Sequence, residues 1–91
     1  MKPTMTVNEV TRNWIRYRLL YKSPIEFSCV EIQSSVVELG KKESVWHTPE
    51  MYSREWRRIR ESIRYGRDYG FTVEEFKKEG ELIKWYRVTK S

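Results

Sequence analysis

Alanine is absent from this 91-residue chain, and cysteine, aspartate and histidine occur once each, as Cys29, Asp68 and His47. A single cysteine excludes an internal disulfide and a cysteine-based metal cluster, so packing alone must hold the core. One histidine in a connecting segment, with no metal-ligand spacing around it, gives no basis for a catalytic or metal centre. The glycines (Gly40, Gly66, Gly70 and Gly80) are scattered at turns and form no phosphate-cradling loop. Glu74 and Glu75 are neighbours in a strand-like segment, which sends them to opposite faces and unpairs them as an acid–base couple. These absences argue against an enzyme and against any metal or cofactor. Residues 32–37 form an uncharged run of six residues, far below the roughly 20 that span a bilayer. Residues 1–4 lead into no apolar signal core. The expectation is an intracellular protein with no membrane partner. Asparagine and glutamine are scarce (Asn8, Asn13 and Gln33), which fits a thermophilic source and a biased viral genome equally.

Aromatic residues, by contrast, make up 14% of the chain and supply the volume that an alanine-free core needs. The net charge of +5 is unevenly placed. Residues 41–67 carry eight basic and four acidic side chains, and so hold most of the excess. Arginine dominates there, and its planar guanidinium suits phosphate and guanine edges. A solvated helix face would also be charged, but would mix lysine and glutamate more evenly.

The elements follow from local signals. Thr6 and Glu9 form a capping box, and Val7, Val10, Trp14, Tyr17 and Tyr21 recur at helical spacing as the expected buried stripe. Ser23-Pro24 ends that helix. Ile15 and Leu19 fall on the other side, so the helix is either central in the fold or also part of a partner surface, for which these two residues are the candidate dimer surface. Residues 25–27 alternate like a short strand. Ser28 and Glu31 form a second capping box, followed by Cys29, Ile32, Val36 and Leu39 and stopped by Gly40. Thr48-Pro49-Glu50 opens a third helix with the buried stripe Tyr52, Trp56, Ile59 and Ile63, and Arg54 directly opposite. Residues 65–70 read as a loop. Residues 71–76 and 82–88 read as strands about a hairpin tip at 77–81, with a bulge or turn start expected at Phe76. One domain over residues 6–88 results, with a flexible N-terminus (1–5) and a short tail (89–91).

This order (helix, short strand, helix, basic helix, hairpin) resembles the winged helix-turn-helix superfamily, nearest to small phage and viral DNA-binding proteins. The resemblance is carried by Tyr52-Ser53-Arg54-Glu55-Trp56-Arg57-Arg58-Ile59-Arg60-Glu61 and by Trp85-Tyr86-Arg87-Val88. The seven residues between Gly40 and Thr48 exceed that family's usual turn. The resemblance implies an α+β winged helix, its third helix in the major groove of double-stranded DNA and its hairpin on the backbone. It implies a small transcriptional regulator. On the residues themselves, Arg54, Arg57 and Arg58 form the outward basic face. Arg54 is the candidate guanine contact, and Ser53 and Glu50 reach neighbouring bases or phosphate. Lys41, Lys42, Arg64, Arg67, Lys77 and Lys78 are candidate phosphate contacts. A homodimer through Ile15 and Leu19 would suit two half-sites. Two alternatives stand beside this expectation. One is a protein-interaction module for a host or viral partner such as a polymerase. The other is a single-strand or RNA binder stacking bases on Trp85 beside Lys84 and Arg87.

Overall fold

Thr6 caps the first helix by accepting a hydrogen bond from the Glu9 amide at 3.1 Å, and from there the chain folds as an α+β unit. The structure, a computed structural model, describes residues 6–34 and 47–91. Its elements are α1 (Val7–Leu19), β1 (Ile25–Ser28), α2 (helical over 29–34), α3 (Pro49–Arg64), β2 (Phe71–Lys77) and β3 (Lys84–Lys90). The strands form one antiparallel sheet in the order β1–β3–β2. Val36, Leu39, Gly40 and Trp46, together with the proposed N-terminal segment 1–5, lie outside the described residues.

The core is an aromatic cluster between the helices and one face of the sheet. Phe27 of β1 is fully buried at its centre. Its ring lies 5.1 Å from Trp14 of α1, 5.3 Å from Trp56 of α3 and 6.0 Å from Tyr86 of β3. Edge-to-face geometry between Trp14 and Phe27, and again between Trp56 and Tyr86, sets the positive ring edges against negative faces.

Each α3 terminus has a local chemical cause. Thr48 accepts from the Met51 amide, the Met51 sulfur receives the Thr48 amide, and Pro49 starts the first turn. At the other end the Arg67 amide reaches Ser62 O and the Gly66 amide reaches Ile63 O, a Schellman stop. Gly66 stands there at φ 101°, a left-handed conformation that a side chain resists. Asp68, the one aspartate, accepts from the Gly70 amide at 2.7 Å and shapes the loop that follows.

Three expectations are corrected. Ile15 and Leu19 are buried, at 0% and 6% exposure, and cannot serve as a dimer surface. The two apolar stripes of α1 are the flanks of one wide buried face, and Thr11 and Arg18 lie along its middle. Thr11 is tolerated there because its hydroxyl bonds the Val7 carbonyl at 2.8 Å. The Arg18 guanidinium reaches out to Glu31 at 3.3 Å, across the Trp14 ring. Tyr17 and Tyr21, expected inside, are instead exposed with Leu20. Finally, Phe76 marks no bulge. The β2–β3 register runs unbroken from Phe71↔Lys90 to Lys77↔Lys84, and Phe76 faces the outer side of the sheet beside Trp85, under the Arg87 guanidinium.

Candidate nucleic-acid interface

The buried side of α3 is Tyr52, Trp56 and Ile59, with Ile63 half-buried below them. At about 100° per residue the opposite side collects Glu50, Arg54, Arg57, Arg58, Glu61 and Arg64, and all six are exposed. Arg54 has no hydrogen bond or ion pair to any of the described residues, and the same holds for Arg64. Arg57 pairs with Glu61 at 3.2 Å and Arg58 with Glu55 at 3.6 Å, at one-turn spacings along the helix. Both arginines remain about 70% exposed, so water and salt screen these pairs and leave the guanidiniums able to exchange partners.

The helix is held against rotation from both sides. Asn8 of α1 donates to Glu55 at 2.9 Å. On α2, Gln33 donates to the Ser53 hydroxyl at 2.7 Å, so Ser53 is half-buried and drawn toward α2 rather than outward. His47 Nδ1 lies 2.7 Å from the Tyr52 hydroxyl, with the two rings edge to face. Burial pushes the Tyr52 phenol above the ordinary tyrosine value. The Tyr86 phenol is likewise raised, chiefly by burial, with Arg60 opposing and Glu75 and Cys29 adding.

The remaining candidates divide. Lys77 and Lys78 are exposed near the hairpin tip, where Gly80 turns the chain at φ 82°. Lys78 is spent in part on Trp85, whose ring lies 3.6 Å away. Arg67 is exposed, and its guanidinium lies 5.2 Å over the buried Tyr69 ring. Lys41 and Lys42 lie outside the described residues.

The structure also joins Arg60, Glu75 and Lys84, which the sequence did not bring together. On the inner face of the hairpin, apolar Phe71, Val73, Tyr86 and Val88 give way toward the tip to Glu75 and Lys84. This charged end overhangs α3 and encloses a groove of about 700 Å³ with Arg57, Arg60, Glu61 and Arg64. Arg60 is only 23% exposed, and its guanidinium lies 4.6 Å over the Tyr86 ring and 5.8 Å from that of Trp56. The available signals were the position of Arg60 beside the buried stripe and the shared strand parity of Lys84 and Tyr86. Arg12 and Arg16 of α1 were missed as well. Arg16 donates to Tyr69 O at 3.0 Å, and the Arg12 guanidinium, like that of Arg67, lies over the Tyr69 ring.

On the outer sheet face Arg87 bridges Glu26 at 2.8 Å and Glu74 at 3.4 Å. Phe76 and Trp85 are half-buried beneath Arg87 and Lys78, so neither presents an open stacking platform. No helix among the described residues is long and apolar enough to cross a membrane. Compared with known proteins, the chain matches no family model, no curated protein and no solved structure.

Proposed function

We propose that the chain is a winged helix that binds double-stranded DNA, with α3 in the major groove and the β2–β3 hairpin as a wing against the backbone. One observation carries this reading. Arg54 stands on the solvent side of a helix whose other side is locked into an aromatic core, with no carboxylate among the described residues to neutralise it. Base readout needs donors held in register by a rigid backing, and Tyr52, Trp56 and Ile59 provide it. Arg57 and Arg58 flank Arg54 in pairs weak enough for a phosphate to displace, while Arg64 and Lys77 extend the basic surface toward the backbone. Glu50, in the first turn of α3, is placed to accept from a cytosine amine. Small transcriptional regulation of phage or viral type is the role such binding would serve.

The test is a duplex-binding titration. Wild type retards a random-sequence duplex at low salt, with affinity falling steeply as salt rises. The Arg54→Ala/Arg57→Ala variant loses that binding while its melting temperature stays near wild type. A variant that binds as wild type does removes α3 from the interface. Selection from a random duplex pool then shows whether one sequence is enriched.

A further inference from the structure

The groove between α3 and the distal half of the hairpin contains an arrangement that the outward face of α3 does not require. Glu75 uses both carboxylate oxygens there. Oε2 accepts from Arg60 Nη1 at 3.3 Å, and Oε1 faces Lys84 Nζ at 3.4 Å. Arg60 is fixed before any ligand arrives, because its guanidinium lies over Tyr86 and near Trp56. Arg57 and Arg64 line the same groove, with Glu61 as the other carboxylate. A phosphodiester and a carboxylate are chemically alike here, since each spreads one negative charge over two terminal oxygens.

We infer that this groove is a seat for one backbone phosphate of the bound duplex, and that Glu75 occupies it in the free protein. The inference rests on the duplex-binding reading of α3 and names the strand contact that accompanies it. Glu75 is 44% exposed, so its bridge lies in water-accessible surroundings where ion pairs stabilise weakly and exchange readily. When the phosphate enters, Arg60 and Lys84 change partners and the carboxylate turns to water. Glu75 thereby lowers affinity for any polyanion and leaves the fit on α3 to decide which duplex is held.

The experiment compares Glu75→Gln with Glu74→Gln by fluorescence anisotropy, using a short labelled random-sequence duplex over a salt series. The two substitutions remove the same charge from adjacent residues, but Glu74 faces the opposite side of the sheet, on Arg87. Glu75→Gln binds several-fold tighter than wild type, while its log–log salt dependence stays that of wild type, because the same phosphate is seated in both proteins. Glu74→Gln moves neither quantity appreciably. Lys84→Gln, from the other side of the bridge, binds more weakly than wild type. Equal gains in the two glutamine variants would reduce the effect to net charge and overturn the inference. So would a Glu75→Gln affinity equal to or below that of wild type, or an unchanged Lys84→Gln. If wild type and every variant fail to bind the duplex, the reading of α3 falls and this seat falls with it. If binding depends on Arg54 and Arg57 but not on Glu75, only the seat is lost.

Discussion

The Lys78 ammonium lies 3.6 Å from the centroid of the Trp85 ring, near the hairpin tip. A cation over an indole at a surface site contributes about 0.5–1 kcal/mol. Lys78→Ala therefore lowers stability to urea by about that amount and increases quenching of tryptophan fluorescence by acrylamide as one face of Trp85 is uncovered. Unchanged quenching would mean that the lysine does not shield the ring.

Phe27 joins α1, α3 and β3 through a single ring, and truncating it empties the middle of the aromatic cluster. Phe27→Ala costs about 3–5 kcal/mol, a large part of the stability of a small domain. Phe27→Leu costs less because most of the volume is kept. Denaturant titration followed by near-ultraviolet circular dichroism reads both the loss and the order of the two variants.

Burial of Ile15 turns a test of association into a test of folding. Ile15→Glu places an unpaired carboxylate in a fully buried site, a cost that such a domain does not survive. Cooperative melting is lost, rather than a dimer dissociating. Tyr17→Glu, on the exposed part of the same helix, shifts stability by no more than about 0.5 kcal/mol. Thermal melts of the two proteins distinguish these outcomes.

Tyr52 and Tyr86 both hold their protons more tightly in the folded chain than in the unfolded one, chiefly through burial. Their contribution is complete below the ordinary tyrosine value and is lost as pH rises through the raised ones, because the unfolded chain releases these protons first. The melting temperature falls as pH climbs past about 10. Tyr52→Phe flattens that decline, and a profile unchanged by the substitution would exclude Tyr52 as a source.

Local chemistry made α3 readable in the sequence. A capping threonine, a proline at the first position and an apolar residue at three- and four-residue steps all lie within the helix itself. The outward placement of Arg54 follows from the same periodicity. Sheet boundaries were less legible because pairing sets them. Thr89 and Lys90 join β3 because Thr72 and Phe71 lie opposite them, while Leu82, expected in the strand as an apolar residue, finds no partner and is exposed. In α1 the polar Thr11 and Arg18 masked the middle of the buried face and made its flanks look like two surfaces. The Arg60–Glu75–Lys84 bridge was invisible for a different reason. It joins a helix to two strands, and no sequence spacing encodes that distance.

The order β1–β3–β2 has a consequence for how the protein comes into being. The middle strand is the last of the three in the chain, and the Arg87–Glu26 contact spans 61 positions. On the ribosome, β1 and β2 must wait with open edges until β3 emerges, so assembly of the sheet is a late event, closed by a pairing between segments far apart in the chain.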